Sequence, residues 1–200
     1  MLEAATNVFR DHGYAGATVR AVAGEAGISV PTVEALFGTK ARLLKAAIDV
    51  AIAGDDEPIP VLDRPSAQTA SQAATLTDFL LIVAGMVADA QQRSAGLVLA
   101  VFEGSSRDAE LDALKDEMVA QREVMAAWVV RGMTRLARLR PGYTVEGAVD
   151  VVWLLMDPAL FVRLTRQRRW SAPGYRDWLA DALARLLVID VRGSAQEEHR

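Results

Sequence analysis

Apolar residues recur three and four apart almost throughout the chain, the spacing that places them on one face of a helix of 3.6 residues per turn. Alternating apolar and polar runs with turn pairs such as Asn-Gly do not occur, and Asn7 is the only asparagine. The pattern predicts an all-α protein. One clear break interrupts it at residues 54–66 (GDDEPIPVLDRPS), which hold three of the seven prolines and an acidic cluster. Three or four short helices are predicted before the break. After it, longer ones are placed near 74–92, 95–104, 108–139, 144–156, 158–169 and 174–190. Two domains are expected, residues 1–50 and 51–200.

The helix near 108–139 carries Leu111, Leu114, Met118, Met125, Val129, Gly132 and Leu136 on one stripe and ends at Arg140-Pro141-Gly142. The next is apolar nearly all round, with only Glu146 and Asp150 charged between Val145 and Met156. Such a helix is expected to be covered on every side, by its own core and by a partner subunit. Pro158 is placed in the first turn of a separate short helix. The last helix has one stripe of Tyr175, Trp178, Leu179, Ala182, Leu183 and Leu186, and a second of Ala180, Ala184 and Leu187. A homodimer through 144–169 and 174–190 follows.

Composition narrows the possibilities. With 200 residues, 52% hydrophobic and 24% charged, the chain is of ordinary globular make-up and can bury a core. Its 22 Lys plus Arg against 26 Asp plus Glu leave a net charge of −4, so binding to nucleic acid would need a local patch and not bulk charge. There is no cysteine, hence no disulfide, thiolate metal site or Cys nucleophile. His12 and His199 are far apart, which disfavours a histidine metal site or a Ser-His-Asp triad. The motifs of nucleophilic hydrolases, dinucleotide enzymes, phosphate loops and zinc peptidases are absent. Asp55-Asp56 fall in the break and read as solvated. Neither an enzyme, nor a cofactor, nor a metal is expected. The longest uncharged apolar stretch, 79–88, is half of what a bilayer requires, and no signal peptide is visible, so the cytoplasm is the expected location.

Residues 18–45 carry the chemistry. Thr18 can cap one helix, whose inner face is Val19, Val22, Ala23 and Ala26. Gly27 suits a tight turn, and Ile28 plugs between helices. Ser29 caps a second helix with Pro31 in its first turn, and Val33 and Phe37 face inward. Gly38 can end it in the left-handed conformation, and Thr39 caps the next. Spacing alone fits a plain αα-hairpin as well as a helix-turn-helix, whose second helix lies in the DNA major groove.

The first 50 residues closely resemble the DNA-binding domain of the tetracycline-repressor (TetR) family. The matching pattern is Leu2-Glu3-Ala4-Ala5, Phe9, Gly13-Tyr14, residues 18–23 (TVRAVA), Ala26-Gly27-Ile28-Ser29, Thr32-Val33, Phe37, Thr39-Lys40 and Leu43-Leu44. Trp170-Ser171, Tyr175 and Trp178-Leu179-Ala180 are similar to the dimerising tail of many members. The resemblance implies a dimeric repressor that reads two half-sites of a near-palindromic operator and is released by a small molecule bound in the C-terminal domain. It implies that Arg20 reaches a base, Val30 and Pro31 touch thymine methyls, Thr18, Ser29 and Thr32 lie at the interface, and Lys40 anchors phosphate. The sequence departs from the family where Tyr, a polar residue and His usually precede the Phe: here stand Glu34, Ala35 and Leu36. Val30 replaces a frequent Lys or Gln, and no basic arm precedes the first helix. Within residues 1–54, Arg10, Arg20, Lys40, Arg42 and Lys45 are balanced by Glu3, Asp11, Glu25, Glu34 and Asp49. Weak, strongly salt-dependent binding or an operator read through few contacts is expected. The alternative is a helical ligand-binding or scaffolding dimer that has lost DNA binding.

For the effector, Phe79, Met86, Phe102, Met118, Met125, Trp128 and Trp153 are the candidate lining residues, each equally at home in plain core. A mostly apolar ligand is implied. Arg122 and Asp150 read as surface residues, and Arg163, Arg166, Arg168 and Arg169 as a solvated helix end.

Overall fold

The computed structural model describes residues 1–189 and is all-helical; among these residues there is no strand, only an isolated bridge between Leu139 and Val188. His199 lies outside the described residues. The helices are α1 (Leu2–Gly16), α2 (Val19–Ala26), α3 (Val30–Phe37), α4 (Lys40–Ala53), α5 (Pro65–Ser71), α6 (Leu76–Gly104), α7 (Ala109–Leu136), α8 (Val145–Leu155), α9 (Pro158–Val162) and α10 (Ala172–Leu187). Two compact units form. One takes in Met1–Pro58 with Asp89–Ala120; the other takes in residues 59–88 and the described residues from Gln121 onward. The long helices α6 and α7 each give a segment to both.

The first unit is built by local signals. Thr18 accepts from the Ala21 amide at 3.1 Å, Ser29 from Thr32 at 3.2 Å and Thr39 from Arg42 at 3.3 Å, so three successive helices start on a hydroxyl cap. Between α2 and α3, Gly27 sits at φ 68° and ψ 29°, a left-handed conformation that strains any residue with a Cβ. Gly38 also has positive φ, but its ψ of −66° takes it out of the left-handed helical well that the sequence suggested. Phe9, Val22, Val33, Leu43, Leu44 and Ile48 form a dry core, completed by Leu97, Val98 and Val101 of α6 and Leu111 and Leu114 of α7. Arg93 closes the end of α4 by donating to the carbonyls of Ala51 at 2.7 Å and Ile52 at 3.0 Å.

In the second unit, α6 and α7 meet through Gly132, where a Cβ would lie 2.1 Å from Cζ of the buried Phe79. Tyr175 is fully buried, packs edge-on to Phe161 at 4.9 Å and donates to the Leu155 carbonyl at 3.3 Å.

Several boundaries differ from the sequence expectation. Helices near 74–92 and 95–104 are one helix, because Ser94 is buried and returns its hydroxyl to the Ala90 carbonyl at 2.7 Å, which satisfies it within the helix. The break at 54–66 ends early, since Pro65 occupies the first turn of α5. The helix near 158–169 is α-helical only to Val162 and continues as a π-turn over Arg163–Gln167. On α10 the buried stripe is Tyr175, Leu179, Ala180, Leu183 and Leu187, and Leu186 stays 43% exposed. Arg122 is not a surface residue: its side chain is 11% exposed and pairs with Asp157 at 2.7 Å. Asp150 is exposed.

Candidate nucleic-acid interface

The α2–turn–α3 unit presents α3 outward. Val33 is its one fully buried side chain, and Val30 and Phe37 pack partly against the same core. Pro31, Thr32, Glu34, Ala35 and Leu36 are all exposed, Leu36 at 62%. At 100° per residue, Pro31 and Ala35 point about 160° away from Val33, Thr32 and Glu34 stand about 100° to either side of it, and Leu36 lies on the Thr32 side.

The residues implied at a DNA interface fall on this surface and around it. Thr18 and Ser29 cap helices, and the Ser29 hydroxyl shares a 2.7 Å hydrogen bond with that of Thr32. Arg20 stands exposed in the first turn of α2, with no ion pair or hydrogen bond to the protein, and the Glu34 carboxylate is likewise exposed and unengaged. Lys40 is half-buried and committed inward. Its ammonium donates to the carbonyls of Tyr14 at 2.8 Å and Ala17 at 3.2 Å and lies 4.1 Å over the Tyr14 ring. An ammonium has three donors, so one remains for a phosphate.

A set of ties that sequence reasoning missed holds this head to the start of α7. The Tyr14 hydroxyl donates to Asp108 at 3.2 Å, Thr39 to Glu110 at 2.6 Å, and Lys45 pairs with Glu117 at 3.2 Å as well as with Asp49 at 2.7 Å. Asp108 also caps α7, accepting from Glu110 at 2.9 Å and Leu111 at 3.2 Å. Burial, then the Asp108 carboxylate, push the Tyr14 phenol up to about 12. The partners of Tyr14, Thr39 and Lys45 lie some seventy to ninety residues away in sequence, and no local pattern announces them. An open groove of about 470 Å³ lies beside these ties, lined by Thr39, Arg42, Lys45, Glu110, Leu114 and Glu117 among others. None of the residues expected to line an effector site borders it.

Those expected effector residues divide between the units. Phe102 and Met118 pack against the core of the first. Phe79, Met86, Met125, Trp128 and Trp153 belong to the second. Phe79 is 1% exposed and 5.7 Å from Trp128, and Trp153 lies 3.9 Å under the Arg122 guanidinium. Among the described residues no group of three or more His, Asp or Glu is placed to hold a metal ion, and no helix is long and apolar enough to cross a membrane.

Residues 1–47 match the family described as bacterial regulatory proteins, tetR family. No curated protein matches the chain. The fold recurs in solved structures. FadR, a transcriptional regulator from Bacillus subtilis in complex with stearoyl-CoA, superposes with a TM-score of 0.70 at 15% identity, covering 92% of this chain and 96% of its own. A proposed transcriptional regulator from Saccharomonospora viridis, in complex with choline, gives 0.68 at 16% identity over 94% and 96%. A TetR-like transcriptional regulator from Rhodococcus sp. RHA1 gives 0.58 at 17% over 92% and 90%. At these identities the likeness is one of fold.

Proposed function

From the premise that the chain carries, in residues 1–47, the N-terminal domain of the tetR family of bacterial regulatory proteins, we propose that it is a dimeric, effector-responsive repressor that binds duplex DNA through α2 and α3. The observation that carries this reading is the exposed face of α3 in a helix-turn-helix whose first helix, α2, bears the exposed and unpaired Arg20. Arg20 reads a base, and arginine on guanine is the commonest specific contact. Thr18, Ser29, Val30, Pro31, Thr32 and Glu34 line the interface. Lys40 anchors a phosphate with its remaining donor while fixing the corner between α1 and α2.

Dimerisation through α8 and α10 is supported by Val145 and Leu154, 51% and 60% exposed, and by Leu186. Apolar side chains that protrude on two neighbouring helices suit a second copy. The effector enters the second unit, where Met86, Met125, Trp128 and Trp153 are each partly buried. These side chains favour a mostly apolar ligand, and the acyl chain of the ligand in the B. subtilis structure is of that chemistry. The protein acts in the cytoplasm as a regulator and not as an enzyme.

The second reading, a dimer without DNA binding, is favoured by one observation, the unpaired Glu34 carboxylate at the edge of α3. A salt titration of binding to the duplex upstream of the chain's own gene separates the two. The repressor reading expects sequence-preferring binding whose affinity falls steeply with salt, and Arg20→Ala costing about 1–3 kcal/mol at one base pair of each half-site. Lys40→Ala should weaken all duplexes alike and lower the salt slope by about one. Absence of binding at low salt would favour the second reading.

A further inference from the structure

We propose that α3 selects its operator by the methyl groups of thymine, with Leu36 the residue that sets this preference, and that the helix itself does not read guanine. This rests on the DNA-binding reading above. It turns on the hydrogen-bonding inventory of the exposed face. Of Pro31, Thr32, Glu34, Ala35 and Leu36, only Thr32 has a side-chain donor, and its hydroxyl already shares a 2.7 Å hydrogen bond with Ser29. Glu34 accepts and does not donate. Guanine shows two acceptors in the major groove, N7 and O6, and no bidentate donor on α3 faces them. Arg20, exposed on the preceding helix α2 and without a partner in the protein, is a cation that meets that requirement.

What remains on α3 is apolar. A leucine offers nothing to a phosphate, and Leu36 is the most exposed large apolar side chain of the described residues, at 62%. It stands on the edge opposite Glu34, with Ala35 between them and too small to screen either. In the major groove the one apolar feature that distinguishes a base pair is the thymine methyl. Leu36, with Pro31 and Ala35, covers such methyls. Glu34 on the other edge then accepts from an exocyclic amino group, on cytosine or adenine. The half-site is therefore rich in thymine where α3 lies and carries its guanine where Arg20 reaches.

The test uses the full-length protein and a duplex library with a random core. Bound duplexes are selected, and the affinity of the enriched sequence is compared with that of the same sequence made with deoxyuridine, which differs from thymidine only by the methyl. About a fourfold loss is expected for each contacted methyl removed. In Leu36→Ala, an exposed position where folding is not at risk, the thymidine-over-deoxyuridine ratio should fall with no change of salt slope. In a third arm, 7-deazaguanine should weaken the parent and spare Arg20→Ala. Equal affinity of the parent for both duplexes overturns the proposal, and equal ratios for parent and Leu36→Ala overturn the role of Leu36. Failure to enrich any sequence overturns the DNA-binding reading itself and the proposal with it.

Discussion

Arg122 donates to Asp157 at 2.7 Å while its guanidinium lies 3.9 Å over the Trp153 ring, so one side chain of α7 grips both α8 and the cap of α9. Asp157 meanwhile accepts from the Ala159 amide at 2.7 Å. The Arg122 Nε is buried without a partner, a cost the ion pair and the ring must offset. Arg122→Leu is expected to destabilise by about 2 kcal/mol, below the figure for a fully buried pair because the Asp157 side chain is still 25% exposed. Adding Asp157→Asn should recover part of the loss, since the amide oxygen can still cap α9. Urea unfolding of the two variants measures both effects; an unchanged midpoint for Arg122→Leu would show the pair to be neutral.

Gly132→Ala tests the meeting of α6 and α7. In an open helix interior that change stabilises by about 1 kcal/mol. Here the new Cβ would lie 2.1 Å from Phe79 Cζ, so a loss of about 1–3 kcal/mol is expected. Phe79→Leu in the Gly132→Ala background should return some of it. The sign of the thermal shift decides, for a gain would mean that Phe79 moves aside freely.

Tyr14 gives the head an alkaline limit. Its phenol is raised from 10.0 to about 12, by burial first and the Asp108 carboxylate second. Below pH 10 it is neutral in both folded and unfolded chains and adds no pH dependence. Between pH 10 and 12 the unfolded chain loses the proton and the folded one keeps it, so stability falls as pH rises through that window. Tyr14→Phe should show a flatter decline than the parent when denaturation midpoints are followed from pH 9 to 12. Parallel curves would remove Tyr14 from the explanation.

Glu34 stands exposed and without a partner at the side of α3. Glu34→Gln and Glu34→Tyr should tighten binding to random and operator duplex together if the carboxylate only repels phosphate. If it accepts from a base amino group, both should weaken the operator and spare random DNA. The proposed readout, with Glu34 accepting from a base amino group, expects the second pattern. No change on either duplex would place Glu34 away from the DNA.

Leu154→Arg should shift the protein to monomer in light scattering at micromolar concentration, because a charge would be buried without a partner in the proposed subunit contact. Ala184→Arg, less exposed in the single chain, should weaken the same contact. A dimer that survives both would have to form elsewhere.

The head was legible because its instructions are local. Thr18, Ser29 and Thr39 each cap a helix through an amide three residues on, and Gly27 marks the turn by its conformation alone. The apolar spacing of α10 was legible too, but not its phase, since Ala180 and Leu187 turn inward where Leu186 does not. Features that depend on distant partners left no trace. Arg122 looked like a surface charge until Asp157, 35 residues on, and Trp153 were placed beside it. Lys40 was expected only as a phosphate anchor, and its inward bonds were not legible because their acceptors are backbone carbonyls, which every residue has. That Leu76–Gly104 is one helix was not legible either: the Ser94 hydroxyl is satisfied by the carbonyl four residues back, a pairing that only the helix itself provides.

The unit that contains α1 to α4 is discontinuous in sequence, since residues 89–120 return to it from within α6 and α7. A chimera joined at residue 50 would carry α3 but leave behind Leu97, Val98, Val101, Leu111 and Leu114, which share one buried core with Phe9 and Ile48. It would also part Tyr14, Thr39 and Lys45 from their acidic partners. On the proposed DNA-binding reading, specificity would be exchanged by rewriting the few exposed positions of α3 in place, whereas exchange of the whole unit requires two crossovers inside helices, each matched in helical phase.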